Sequence, residues 1–146
     1  MLCKTWRLAV EDVYDDSFEF ELGKGKILNE GSKIAIIATG LMVQEALKVY
    51  DLMEVKPTIV DMYSIKPIDT KLIKELAKSH DRIITIEEHN IIGGLGSAVA
   101  EVLAEEDTRA CLTRIGMNDE FGRSGKPKDL LKYYGLDADS ILEKIK

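Results

Sequence analysis

The residues best placed for chemistry begin with Gly93-Gly94-Leu95-Gly96-Ser97, which lies between an apolar run and an amphipathic stretch. Glycines at such a turn let backbone approach an anion, and a helix N-terminus adds partial positive charge. A dinucleotide fingerprint wants a further small residue three places after Gly96, where Val99 stands, and no Lys followed by Ser or Thr completes a phosphate loop. Tight packing of helix on sheet is therefore the favoured reading of Gly93, Gly94 and Gly96. Just upstream, Glu87-Glu88-His89 falls at a strand end, where two carboxylates could raise the imidazole pKa and poise it near neutrality for proton transfer. Alternation sets Glu88 on the face opposite Glu87 and His89, so Glu88 and His89 are expected to serve an interface or to support a neighbouring site rather than to catalyse alone.

A second group, Asn118-Asp119-Glu120-Phe121, lies in a loop bounded by Gly116 and Gly125. Asp119 and Phe121 are its candidate partner contacts, against the alternative of a plain connecting loop. His80, in Ser79-His80-Asp81 after a helical stretch, suits the negative end of a helix and needs no further role. Cys3 and Cys111 are far apart, and with two histidines in the chain no zinc-ligand spacing can be written. A reducing compartment is the default for such cysteines. No Gly-x-Ser-x-Gly elbow and no His-Glu-x-x-His motif is present. These residues assemble no self-contained active site, so no catalytic, cofactor-binding or metal-ligating residue is assigned.

The elements that must position these groups alternate from Ser32 onward between short apolar runs and amphipathic stretches, the pattern of a parallel sheet with crossing helices. The run at 34–38 reads as a strand covered on both faces and closed by Thr39-Gly40. Val43, Ala46, Leu47 and Tyr50 follow at helical spacing, with Gln44, Glu45 and Lys48 outside the apolar stripe. A second strand at 58–62 leads to a helix capped by Asp69, and a third at 82–86 leads to a helix whose anchors should be Leu95, Val99, Val102 and Leu103. A fourth strand at 111–115 precedes the glycine-rich loop and two short helical pieces, around 130–134 and 140–145, the last capped by Asp137 or Asp139. In the first thirty residues Phe18, Phe20 and Leu22 alternate with Glu19 and Glu21 before Gly23-Lys24-Gly25, which suggests an antiparallel edge, a hairpin or a linker. The expected architecture is a three-layer α/β/α sandwich on a mostly parallel sheet. Residues 1–30 form a linker or hairpin segment and 31–146 the domain, with any site at the carboxyl ends of the strands.

With 146 residues, 45% hydrophobic and 32% charged, the chain suits one domain that buries roughly two thirds of its unfolded surface without staples. Its 20 Lys and Arg against 26 Asp and Glu give a formal charge of -6, which argues against nucleic acid as a partner. No run approaches the roughly 18 apolar residues of a membrane span, and no leader pattern opens the chain. No membrane association and a cytoplasmic location are expected.

In their order and spacing, 34–40, Lys66-Pro67-Ile68-Asp69, Thr85-Ile86-Glu87-Glu88-His89 with Gly93-Gly94-Leu95-Gly96-Ser97-Ala98-Val99, and Ser124-Gly125-Lys126-Pro127 with Leu130-Leu131 and Tyr134-Gly135-Leu136 resemble the C-terminal domain of transketolases. The likeness runs from Phe18 to the C-terminus. The Ser-Gly-Lys-Pro stretch is more similar to transketolase than to deoxyxylulose-phosphate synthase or the β subunit of 2-oxo acid dehydrogenases, which stand as alternatives. The resemblance implies an enzyme using thiamine diphosphate and Mg²⁺ to move two-carbon ketol units between sugar phosphates, in which this is the third of three domains. It also implies that the cofactor is held elsewhere: the family's Gly-Asp-Gly motif is missing, since no Gly-Asp pair occurs here, and so is the middle domain that engages the pyrimidine ring. The expected partners are those catalytic domains, in the same chain or a separate subunit, together with a second copy in a homodimer. The chain would be inactive alone, as an excised domain or as part of the second subunit of a split enzyme. Residues 1–13 match nothing placeable and could be the tail of the middle domain or foreign sequence. The competing class is a regulatory module binding a nucleotide or phosphate at Gly40 and Gly96.

Overall fold

The computed structural model describes residues 11–120 and 122–146. Five strands, β1 (Lys26–Asn29), β2 (Ile34–Ala38), β3 (Thr58–Asp61), β4 (Arg82–Asn90) and β5 (Cys111–Met117), form one sheet in the order β1-β3-β2-β4-β5. The last four are mutually parallel, while β1 closes the β3 edge antiparallel, with Lys26 opposite Asp61 and Ile27 opposite Val60. Helices α1 (Met42–Leu52), α2 (Thr70–Ser79), α3 (Leu95–Ala104), α4 (Pro127–Tyr133) and α5 (Ala138–Ile145) complete the fold.

Strand alternation sorts the layers. Ile36 and Ala38 of β2 pack with Met42, Ala46 and Val49 of α1 and with Ile141 and Ile145 of α5. Ala35 and Ile37 pack on the other face with Ile73 and Leu76 of α2 and with Leu95 and Val99 of α3. The three-layer sandwich with its antiparallel edge strand is the expected one. Ile36, Ile37, Ile84 and Ile86 are wholly inaccessible at its centre, each worth about 1.5–3 kcal/mol of transfer free energy. Side-chain caps set two helix starts, Asp69 accepting from the N–H of Leu72 and Asp137 from that of Ser140.

Four local expectations change. The antiparallel edge expected within the first thirty residues is present but lies at 26–29, paired with β3, and Phe18, Phe20 and Leu22, whose alternation suggested it, stand outside any strand. A strand pattern becomes a strand only beside a free edge, and β1 takes the edge of β3. Phe18 instead stacks on Tyr14 with ring centroids 3.8 Å apart. The third expected strand runs on through Asn90, with a register shift between Ile86 and Asn90. The two C-terminal helices begin earlier, at Pro127 and Ala138. Glu45, read as solvent-facing, is buried, because its carboxylate accepts the N–H of Ala138 at 2.9 Å at the start of α5, and Lys48 Nζ at 2.7 Å.

Candidate functional site

β2 and β4 are neighbours, yet the helices that follow them cover opposite faces of the sheet, α1 one and α3 the other. That arrangement makes their carboxyl ends a topological switch point, where α/β sheets meet ligands or partners. Gly40, at positive φ of 58°, turns the chain out of β2 on one side. On the other side stand the end of β4 and the turn into α3, which carry most of the residues singled out by sequence.

Glu87 is 1% exposed and faces into the glycine turn. One carboxylate oxygen accepts the N–H of Leu95 and the other that of Gly96, both at 2.8 Å. The first turn of α3 is therefore capped by a buried carboxylate from the preceding strand, which satisfies two N–H groups that the helix cannot pair itself and sits where the helix dipole favours negative charge. The glycines follow from this contact. A Cβ on Gly94 would stand 1.8 Å from Glu87 Oε2, and one on Gly96 would stand 2.8 Å from Arg114 Cδ and 2.9 Å from Thr85 Oγ1. Gly93 has φ of 77°, a conformation that side chains disfavour. The packing reading of Gly94 and Gly96 thus has a specific cause. An external anion at these N–H groups would have to displace a carboxylate held by two short hydrogen bonds.

The loop beyond is tied on every side. Asn90 Nδ2 donates to Asp119 Oδ1 at 2.7 Å, and the N–H of Ile92 donates to Asn90 Oδ1 at 2.8 Å. Ser97 Oγ receives the N–H of Gly93 at 2.9 Å and donates to the carbonyl of Ile91, which also accepts from Arg114 at 3.1 Å. This frame presents Ile92, 66% exposed. His89 is exposed and Glu88 half-buried beside it.

The structure thus brings Glu88, His89, Gly93, Gly94, Gly96 and Asp119 to one crest, while Phe121 lies outside the described residues. It separates Glu87 from the imidazole chemistry suggested for it, because that carboxylate serves the α3 backbone. His80 does more than favour a dipole: its ring lies 3.1 Å from the carbonyl of Leu76 and 2.8 Å from Thr58 Oγ1, linking α2 to β3. Sequence reasoning placed Asn90 at a strand end without using its position just before an apolar pair, which is an Asx-turn signal. It assigned nothing to Tyr14 and placed Asp61 only at the carboxyl end of its strand. Asp61, at the carboxyl end of β3, is buried and accepts Tyr14 Oη–H at 2.8 Å. Burial pushes its carboxyl above the ordinary value, partly opposed by that hydrogen bond; burial, then Asp61, pushes the Tyr14 hydroxyl up as well. Among the described residues no cluster of three His, Cys, Asp or Glu could hold a metal ion, and no helix is long and apolar enough to cross a membrane.

Residues 23–141 match the family described as transketolase, C-terminal domain. The chain belongs to that family. A protein of Methanocaldococcus jannaschii that carries the name of a transketolase C-terminal section is 51% identical to this transketolase C-terminal domain over 144 residues, 95% of this chain and 45% of that protein. A 1-deoxy-D-xylulose-5-phosphate synthase of Chlorobium luteolum is 45% identical over 134 residues, 90% of this chain and 21% of the synthase. Among solved structures, a split-gene transketolase in an inactive β4 tetramer superposes with a TM-score of 0.89 at 42% identity, over 95% of this chain and 46% of that one. The transketolase of Campylobacter jejuni, at 18% identity and a TM-score of 0.66, over 90% of this chain and 20% of that one, shares the fold. This transketolase C-terminal domain therefore spans about half the length of its M. jannaschii relative and about a fifth of the synthase.

Proposed function

We propose that the chain is the C-terminal domain of a thiamine-diphosphate-dependent transketolase of the pentose phosphate pathway, acting in assembly and dimerisation and making no turnover of its own. The enzyme as a whole would move two-carbon ketol units between sugar phosphates in the cytoplasm. In this reading residues 1–30 are the linker from the catalytic part and lend β1 to the sheet edge of 31–146. The observation that carries it is the Glu87 clamp. At the switch point, the turn best suited to a cofactor or substrate phosphate has its N–H groups committed to the chain's own carboxylate. What the crest offers outward is a braced loop with an apolar tip, Ile92, flanked by His89 and Asp119. That is a contact surface. Thiamine diphosphate and Mg²⁺ do not fit the residues here, since a diphosphate at this turn would face Glu87, and their binding belongs to the catalytic domains.

The test is reconstitution. The chain is mixed with the catalytic portion of the enzyme from the same cells, and ketol transfer and assembly are compared for wild type and His89→Ala. Loss of assembly in a variant that melts normally supports the crest as the contact; unchanged assembly and activity remove His89 from it. A second reading is favoured by the 45% identity to the Chlorobium synthase: the same accessory role in an enzyme that forms 1-deoxy-D-xylulose 5-phosphate. Assaying the reconstituted enzyme for both products separates the two.

A further inference from the structure

The acidic residues are unevenly placed. Residues 11–21 hold Glu11, Asp12, Asp15, Asp16, Glu19 and Glu21 and no Lys or Arg, so this segment equals the whole formal charge of -6 and the remaining 20 acidic residues balance the 20 basic ones. The segment lines an open groove of about 590 Å³ at the carboxyl end of β3, with Tyr14, Phe18 and Tyr63 on its aromatic side and Asp15, Glu19 and Glu21 along it. The rings form a connected cluster, Phe18 meeting Tyr63 edge-on at 5.7 Å and Phe20 lying 5.1 Å from the same ring. Phe20 and Leu22 are 63% and 67% exposed beside it. Lys24 and Lys26 stand on the β1 side. Aromatic faces beside carboxylates suit a guanidinium or ammonium group, through cation–π contact and charge-assisted hydrogen bonds.

The same chain carries such groups at the other end of the crest. Between residues 122 and 134, Arg123, Lys126, Lys128 and Lys132 are exposed against the single carboxylate of Asp129. The Arg123 guanidinium already lies over the ring of Tyr133, 4.5 Å from its centroid, and its backbone N–H donates to Tyr134 Oη at 2.9 Å. This segment follows β5, whereas the groove lies at β3, with β2 and β4 between them. At the usual strand spacing the two strands are about 14 Å apart. Among the described residues no salt bridge joins the two segments.

We propose that the groove at residues 13–21 and Tyr63 is occupied by the basic segment 122–132 of a second copy of this chain. It rests on the assembly role above for the choice of the carboxyl-end crest as contact face. Two crests facing each other across a two-fold axis normal to the sheet place the acidic groove of each copy against the basic segment of the other, so one axis makes the contact twice. Opposite charge at the rim selects the partner and the register, and aromatic rings at the centre supply contact area.

The test is a charge swap read by sedimentation. The full chain should dimerise at low salt and dissociate as salt screens the pairs. Glu19→Lys with Glu21→Lys should weaken self-association by about tenfold or more, as should Lys126→Glu with Lys128→Glu. All four positions are exposed, so both variants should melt like wild type. Mixed in equal amounts, the two variants should regain a dimer, because reversed groove meets reversed segment while the native pair remains intact at the other contact. A wild type that stays monomeric at low salt overturns the proposal. So do reversals without effect, or a mixture that remains monomeric. Failure of the His89→Ala reconstitution test with this salt-dependent dimer intact would count against the assembly role alone.

Discussion

Replacing Glu87 tests how far the glycine turn depends on one buried carboxylate. Glu87→Ala removes two hydrogen bonds of 2.8 Å and leaves the N–H groups of Leu95 and Gly96 buried beneath the first turn of α3. Hydrogen bonds to a charged group are worth about 1.5–3 kcal/mol each, so the pair together predicts a loss of about 3–5 kcal/mol after some relaxation. With a urea dependence of about 2 kcal/mol per molar, the midpoint should fall by about 1.5–2.5 M. Gly94→Ala should destabilise by about 1–3 kcal/mol through overpacking, because its Cβ would sit 1.8 Å from Glu87 Oε2. The two changes share one contact and must couple. In the Glu87→Ala background the cost of Gly94→Ala should shrink by about 1 kcal/mol or more, leaving the residual crowding against the Asn90 carbonyl at 2.8 Å. Urea denaturation of the four proteins at neutral pH measures the cycle. A Glu87→Ala loss under about 1 kcal/mol, or strict additivity of the two changes, would refute the clamp.

Three further predictions follow from burial. Glu45→Ala, which strips the N–H of Ala138 of its acceptor at the start of α5, should cost about 1.5–3 kcal/mol, and Glu45→Gln less, read by thermal melting. Leu95→Ala should lose about 2–5 kcal/mol, whereas Leu103→Ala should lose less, since Leu103 is only half-buried while Leu95 is inaccessible; equal urea midpoints would contradict the packing described. Because burial raises the Asp61 carboxyl above its ordinary value, Asp61 favours the fold below the usual carboxylate range and loses that contribution as pH rises through its folded-state value. Asp61→Asn, which keeps an acceptor for Tyr14, should therefore gain on wild type as pH rises from acid to neutral, and a pH-independent difference in melting temperature would show that Asp61 is not the group responsible.

Much of the fold is legible in residue order. Ile34-Ala35-Ile36-Ile37-Ala38 reads as a doubly covered strand because both of its faces are apolar, and the 3.6-residue stripe of Leu95, Val99 and Val102 reads as a helix on that sheet. Asp69 and Asp137 announce helix starts, since their caps are made within three residues of sequence. The strand-end positions of the candidate residues were legible as well. Glu88, His89, the glycines and Asp119 were placed at strand ends, and the structure brings them to one crest.

What these examples share is range. Periodicity, capping and turn chemistry act over a few residues, so residue order alone sets the alternating α/β elements, their covered faces and the strand-end position of the candidate residues. The partner of a polar side chain is a different matter, because it depends on which distant backbone the fold delivers. Glu87 could have faced an imidazole, water or a helix; the turn into α3 gave it two N–H groups eight and nine residues on. Glu45 lies outside its helix's apolar stripe, yet α5, arriving 93 residues later, buries it. The alternation of Phe18, Phe20 and Leu22 had a strand's pattern, but the edge of β3 went to 26–29. Tertiary structure decided these cases because burying a carboxylate or extending a sheet is favourable only where a complementary group is already waiting.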